Sequence, residues 1–481
     1  MRPRGDKRMG LFETHNPEKT RFAAHGDRIA FLPLFLITFL IGLVYVWRSP
    51  IIPIAGDSAQ YTVIADALIG RRAGEFVYYR SWGYPLFLVL CAYPWLHSTV
   101  VVTAVQLALG STVPWLIAAS LQRLGVSRSL SLAAALTSIV SLSPVLLAHV
   151  LLSDQVSLFL LYLAIWLLVE SLSPNEHRGW RESISLAAVF IGLSLLRPAN
   201  VLLGLVVFGA ALVFFPSVSR RTIGRALVLV AVGTAILSLK PVERTDAYLR
   251  GKPFVQGSLS GAMFFWNVYA SGATFAGERV LKVGNGPCSQ ELYETVRRNI
   301  DSVQGYTGTA EDALNATTLL NHYAIWQSLE KLGPGRMNQI FWCAAFEGIR
   351  AEPKSLLYFP DGLLSFFIVS DVIYNNGYRQ AWPSADFYSN TIAPMFAAWA
   401  LNVGTAIKIA SFLVAICMFW TTANASRERR GVVIAVWVIV IYHAAVHIMF
   451  AAPHWRYALV IIPALVFLAA LGFDSWRTEK R

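Results

Sequence analysis

The sequence predicts an all-α polytopic membrane protein of about ten transmembrane helices, with a mainly helical extracytoplasmic domain inserted before the last three. Three observations predict it. The 481 residues are 56% hydrophobic and 14% charged, with a mean hydropathy of +0.52, whereas soluble domains carry about a quarter charged residues. Short clusters of Lys and Arg recur between the apolar runs, as expected of loops on the cytoplasmic side. Between residues 241 and 391 the apolar runs stop, and a polar stretch of about 150 residues is long enough to bury a core of its own. The net charge of +12 does not mark a nucleic-acid-binding protein, because the basic residues are dispersed instead of forming one patch.

Residues 1–28 are polar and basic and read as a cytoplasmic tail, too long in its polar part for a cleaved signal peptide. The transmembrane bundle occupies 29–240. Its first span, Ile29 to Trp47, is long enough to cross a bilayer core of about 30 Å. It delivers the chain into an outer loop, 48–98, where Tyr61, Ile64, Ala65 and Leu68 stand at i, i+3, i+4 and i+7 on one side of a short helix. Tyr84 to Leu96 is apolar but interrupted by Pro94, and reads as re-entrant or interfacial. The second span is Thr99 to Leu121 and the third Ser129 to Val150, leading out to Ser153 and Asp154. The fourth is Gln155 to Val169. Ser183 to Phe215 holds the fifth and sixth, split at Leu196-Arg197-Pro198-Ala199-Asn200, where proline favours a turn. The seventh ends near Lys240.

The inserted domain, 241–391, mixes acids and bases and carries Gly/Pro turns and helix-like runs at Ala310 to Leu332 and Gln339 to Arg350. The C-terminal segment, 392–481, supplies spans eight (Ile392 to Trp420), nine (Gly431 to Phe450) and ten (Trp455 to Phe473). Parity then puts both termini and every basic cluster between spans on one side. The four cysteines, Cys91, Cys288, Cys343 and Cys417, show no metal-ligand spacing. Cys288 and Cys343 share the polar segment and could pair in an oxidising compartment.

On this topology the unusual polar residues gather at the outer face: Asp57, Arg80, Asp154, Arg197, Lys240, His443, His447, His454 and Arg456. An acid there could take a proton from an acceptor hydroxyl, and arginines could grip a phosphate by bidentate hydrogen bonds. Several of these have plainer readings. Asp57 with Gln60 forms a capping-box pattern. Asp154 after Ser153 could cap a span. Arg197 could snorkel and Arg456 anchor at the interface. His443 and His447, four apart, could bind metal, pack, or touch phosphate.

The runs Asp57-Ser58-Ala59-Gln60-Tyr61, Tyr79-Arg80-Ser81-Trp82-Gly83-Tyr84-Pro85, Leu152-Ser153-Asp154, Leu196-Arg197-Pro198 and Arg456-Tyr457 with Pro463 resemble motifs of the GT-C superfamily of membrane glycosyltransferases. That superfamily includes the protein mannosyltransferases, the lipid A aminoarabinose transferases and the RgtA/B/C/D-like bacterial enzymes. The resemblance covers roughly the first 215 residues and the last span. It implies inverting transfer of a sugar from a polyprenyl-phosphate donor to a glycan or lipid acceptor, at the periplasmic face of the inner membrane in bacteria. It implies Asp57 as catalytic base or acceptor-positioning acid, with Asp154 assisting or helping to hold a metal. Arg80, Arg197 and Arg456 would bind the donor phosphate. Tyr61, Tyr79, His443, His447 and His454 are further candidates for substrate contact. Cofactor use stays open, since some members use a divalent metal ion. Ser58 stands where the protein mannosyltransferases have glutamate, which points to the RgtB-like branch. A transporter or flippase of a lipid-linked glycan is the rival expectation.

Overall fold

The computed structural model describes residues 30–48, 57–71, 81–148, 150–172, 180–215, 217–239, 286–303, 305–315, 319–353, 399–423, 426–450 and 455–479, with isolated positions in 241–268 and 356–396. The tail at 1–28 and most of 241–285 and 354–398 lie outside the described residues.

Helices occur at every expected span. They are α1 (Phe31–Arg48), α2 (Asp57–Leu68), α3 (Gly83–Leu90), α4 (Tyr93–Leu96), α5 (Thr99–Arg123), α6 (Arg128–Val140), α7 (Asp154–Glu170), α8 (Trp180–Leu196), α9 (Leu203–Phe214) and α10 (Ser217–Ser238). After the polar segment's α11 (Pro287–Asn299), α12 (Ala310–Asn315), α13 (Leu319–Glu330) and α14 (Pro334–Ala351) come α15 (Thr405–Cys417), α16 (Phe419–Ala423), α17 (Arg427–Phe450) and α18 (Trp455–Glu479). No strand occurs among the described residues. Among the described residues five helices, α1, α5, α10, α17 and α18, are long and apolar enough to cross a membrane, and α6, α9 and α15 are apolar but shorter. The central packing is α5 on α1, α6 and α7, α8 between α7 and α10, and α17 on α9. The largely buried α18 lies against α15, α6, α5 and α7.

The amphipathic stripe in the first loop is where its spacing put it. α2 buries Tyr61, Ile64 and Ala65, and Leu68 is half-buried. The apolar stretch after it is broken as expected: α3 and α4 are separated at Cys91-Ala92, with Ala92 at φ 56°. The Arg71 guanidinium donates to the Pro94 carbonyl and ties the end of α2 to α4.

The third span departs from the expected continuous helix. α6 stops at Val140, and the described residues from Ser141 to Ser153 (all but residue 149) are irregular, with Leu142 at φ 58°, yet buried. Ser141-Leu142-Ser143-Pro144 explains the stop. The Ser141 hydroxyl bonds Ser138 O at 2.7 Å and lies 2.9 Å from Ser143 Oγ, and Pro144 has no N–H to offer a helix. Non-helical backbone inside an apolar bundle is tolerated only where its polar groups find protein partners. Here side chains supply them. Gln106 Nε2 donates to the carbonyls of Ala148 (2.7 Å) and Val150 (2.9 Å), and Gln155 Nε2 to that of Pro144 (2.5 Å). The Tyr45 hydroxyl donates to Leu146 O at 2.9 Å, and Trp399 Nε1 to Val140 O at 2.9 Å. The Tyr84 hydroxyl in turn donates to Gln106 Oε1 at 2.8 Å, fixing the amide's orientation.

Helices α11, α13 and α14 pack together, and a disulfide joins Cys288 to Cys343 across a separation of 55 residues. Glu347 closes the N-terminus of α11: its carboxylate accepts from the amides of Cys288 (3.0 Å) and Ser289 (2.8 Å) and from the Ser289 hydroxyl (2.6 Å). A carboxylate at a helix N-terminus satisfies amides that have no partner within the helix and complements the helix dipole. Burial pushes the Glu347 carboxyl up, but these hydrogen bonds and the Arg350 charge bring it net below its ordinary value.

Three outcomes test this arrangement. Gln106→Leu leaves the Ala148 carbonyl without its donor, while Val150 O keeps the Leu152 amide at 2.8 Å. The loss is expected to cost about 1–3 kcal/mol, read as a lower melting temperature in detergent. Cys288→Ser is expected to destabilise by about 2–4 kcal/mol, with the reduced wild-type protein melting at the same temperature as the variant. A depressed folded value means that Glu347 stabilises the native state above its ordinary value of 4.5 and loses that contribution as pH falls through the lower folded value. The melting difference between wild type and Glu347→Gln is therefore expected at neutral pH and to vanish in stronger acid.

Candidate functional site

The irregular segment sets Ser153 and Asp154 at the start of α7, and the α8 break sets Arg197 between α8 and a 3-10 turn over Pro198–Asn200. The two breaks face each other. The Arg197 Nη2 and Asp154 Oδ1 atoms form an ion pair, with side chains 10% and 1% exposed. Arg197 Nε donates to Ser153 Oγ at 3.2 Å, and Nη1 lies 3.2 Å from His447 Nε2 on α17. A guanidinium can only donate, so Nε2 is the acceptor and the His447 proton is on Nδ1. That assignment agrees with the 2.6 Å approach of Nδ1 to the His443 carbonyl. His447 is thus a neutral imidazole held between its own helix and the arginine. The His443 ring lies tilted beside it at 45°, centroids 4.1 Å apart.

These contacts decide among the plainer readings. Ser153 makes no capping bond to the helix it precedes, and its hydroxyl serves Arg197. Arg197 does not snorkel to an interface; it is 8% exposed and turned inward. His447 has both ring nitrogens engaged, one toward a cation, which does not suit a metal ligand. Among the described residues one grouping of three candidate ligands occurs, Cys288, Cys343 and Glu347, and the disulfide removes both thiolates. No divalent-metal site is therefore assembled from the described side chains.

The first-loop helix shares a core with this site. Tyr61 and Ala65 of α2, Tyr84 and Leu88 of α3, Val150, Leu151, Leu152, Val156 and Leu196 form one buried cluster. Tyr61 sits edge-on to Tyr84 at 5.0 Å. A Cβ on Gly83 would overlap the Leu195 carbonyl, so the start of α3 lies directly on the backbone that precedes Arg197. Asp57 is the first residue of α2 and Arg456 lies in the first turn of α18, but their side chains are outside what the structure describes. Tyr79, Arg80, Lys240 and His454 are outside the described residues altogether.

At the opposite helix ends a second set of charges meets. Arg429 Nη1 pairs with Asp474 Oδ2 at 3.0 Å, and its Nε donates to Leu124 O at 2.9 Å. Arg123 approaches Glu170 at 3.5 Å. Of the polar residues expected at one face, Asp154, Arg197, His443 and His447 are brought together, and of the basic residues expected at the other, Arg123 and Arg429 meet acidic partners.

Sequence reading missed Gln106 and Gln155, which hold the irregular segment, and gave Ser153 no partner beyond its own helix. A glutamine inside an apolar span and a Ser-Leu-Ser-Pro run were the available signals.

No protein-family model and no characterised protein sequence matches the chain. Among solved structures it is similar to the archaeal oligosaccharyltransferase AglB from Archaeoglobus fulgidus, in complex with an inhibitory peptide and a dolichol-phosphate. That likeness has a TM-score of 0.46 at 10% identity over 94% of this chain, which spans about half (51%) of that one. It is also similar to ArnT from Cupriavidus metallidurans bound to undecaprenyl phosphate, with a TM-score of 0.33 at 13% identity over 93% of this chain and 77% of that one. At these scores neither likeness carries an argument about activity.

Removing one member of a buried ion pair leaves the other charge uncompensated, at a cost of about 3–5 kcal/mol. Arg197→Met and Asp154→Leu are each expected to lower the melting temperature sharply. The double variant Arg197→Met with Asp154→Leu is expected to recover most of the loss, which a double-mutant cycle measures.

Proposed function

We propose that the chain is an integral-membrane glycosyltransferase that moves a sugar from a polyprenyl-phosphate donor to a glycan or lipid acceptor at the extracytoplasmic face. The observation that carries this reading is Arg197: a buried guanidinium at one end of the bundle, oriented by Asp154, Ser153 and His447. A fork of N–H donors fixed before ligand arrives suits the oxygens of a phosphate leaving group. In the reaction the acceptor oxygen attacks the anomeric carbon from the side opposite the phosphate, and the bond from that carbon to the phosphate oxygen breaks. The electron pair leaves with the polyprenyl phosphate, and the acceptor proton passes to Asp57. Arg80 and Arg456 join Arg197 on the phosphate, Asp154 holds Arg197 in register, and Tyr61, Tyr79, His443, His447 and His454 border the substrates.

The proposed topology is the tail 1–28 inside, the bundle 29–240 with its outer catalytic loop 48–98, the domain 241–391 outside and the spans of 392–481. The Cys288–Cys343 disulfide supports an oxidising compartment for the inserted domain. The separation of the Arg197 group from the Arg429 group supports the assignment of opposite faces.

One observation favours a second reading. Lys408, 1% exposed within the apolar α15, is the kind of buried ionisable residue that marks a transport path. A transfer assay separates the two readings. Purified protein in detergent is given labelled polyprenyl-phosphate sugars and membrane glycolipid acceptors, alongside Asp57→Asn. Label in the acceptor with wild type and at least about 100-fold less with the variant supports the enzyme. No transfer, with movement of a lipid-linked glycan across proteoliposomes that is lost in Lys408→Met, replaces it with the transporter.

A further inference from the structure

His443 contributes no side-chain bond to the network that holds Arg197, although its carbonyl accepts from His447 Nδ1 and its ring stands beside that residue. Its side chain is 2% exposed, and neither Nδ1 nor Nε2 has a hydrogen-bond partner. A neutral imidazole carries one donor and one acceptor, and leaving both unsatisfied in a protein interior costs about 1–3 kcal/mol for each. Two further atoms are in the same condition on the neighbouring elements. Ser157 Oγ, one turn beyond Asp154 on α7, and Asn200 Oδ1, in the turn after Arg197, are each on residues 2% exposed. The elements meet: α17 packs against α7 and against the Pro198–Asn200 turn, where the Tyr442 hydroxyl donates to Ala199 O at 2.7 Å. Asn200 Nδ2 faces the Leu193 carbonyl at 3.4 Å, which sets the amide's orientation and leaves Oδ1 as the free end.

The chemistry of these groups selects a ligand. Asn200 Oδ1 can only accept, so a phosphate oxygen, which also only accepts, does not satisfy it. His443 and Ser157 can each donate or accept. Ser157 and Asn200 are uncharged and the phosphate falls to Arg197, so these three side chains call for hydrogen bonds and not for charge. An uncharged hydroxyl-bearing group fits all three.

We propose that His443, with Ser157 and Asn200, binds hydroxyl groups of the donor's sugar and so determines which sugar is accepted. This rests on the reading of Arg197 as the donor-phosphate residue. It separates two tasks within one site: Arg197 takes the phosphate common to every donor, and His443, on the far side of the His447 ring, tests the sugar joined to it.

The test is binding of the full-length protein in nanodiscs to two probes, undecaprenyl phosphate without a sugar and undecaprenyl-phosphate hexose. His443→Phe keeps a ring of similar size without hydrogen bonds. It is expected to leave affinity for the sugar-free lipid within about twofold and to weaken the hexose-linked lipid about tenfold. His443→Asn, which restores a donor and an acceptor, is expected to recover part of that loss. Ser157→Ala serves as a second variant in the same direction if His443→Phe does not fold. A preference for the sugar-linked over the sugar-free lipid that survives both His443→Phe and Ser157→Ala overturns the proposal, and marks these atoms as bonded to water only. Equal weakening of both probes also overturns it, because that pattern belongs to a packing role. Wild type that binds undecaprenyl phosphate no better than undecaprenol, the same lipid without phosphate, instead removes the donor-phosphate reading itself, and the sugar proposal with it.

Discussion

The structure turns on one buried ion pair, Arg197 with Asp154. Neither charge is tolerated alone inside an apolar bundle, and their attraction offsets desolvation only where further hydrogen bonds complete the guanidinium. Ser153 and His447 complete it. Each partner comes from a place where a helix stops: Asp154 and Ser153 from the start of α7, Arg197 from the end of α8. The breaks are therefore requirements of the pair. An uninterrupted helix through 141–153 or 197–200 would carry these side chains elsewhere.

Such breaks are costly in a nonpolar surrounding, and most of the polar contacts of the bundle are spent offsetting that cost. Gln106, Gln155, Tyr45 and Trp399 donate to the carbonyls that the break leaves short of backbone donors, Val140 O among them, whose helical partner would be the N–H that Pro144 lacks. Gly110 belongs to the same arrangement, because a Cβ there would overlap Pro144 O and the Gln155 amide. The core beneath the ion pair is shared by α2, α3, the irregular segment and the end of α8, so α2 packs with the backbone that carries the pair. A site built at helix ends over a rigid core can hold a charged group in a fixed orientation while the chain around it stays apolar.

The far end of the bundle uses a similar pairing differently. Arg429, Asp474 and Leu124 O link α17, α18 and the end of α5, where parity and charge expect the cytoplasmic face. That cluster joins helices without breaking any, as expected of a structural tie. The two ends thus differ: one ion pair ties continuous helices together, and the other sits where two helices stop.

Much of this was legible in the chain. Apolar length located the helices, because a span must be continuous and lipid-compatible to exist at all. The i, i+3, i+4 spacing identified the buried side of α2, and Arg197-Pro198 marked a break, since proline constrains its neighbours locally. The one misread span, Ser129 to Val150, shows where that logic stops. Hydropathy cannot distinguish a helix from buried irregular backbone when both are apolar, and the Gln106 and Gln155 amides that satisfy the irregular form come from elsewhere in the chain. For the same reason sequence alone left Ser153, Asp154, Arg197 and His447 with several readings each. Which helices exist is a local property of composition and period, and the sequence determined it. Which polar groups meet depends on distances across the bundle between residues as far apart as 154, 197 and 447, and only the tertiary structure decided that.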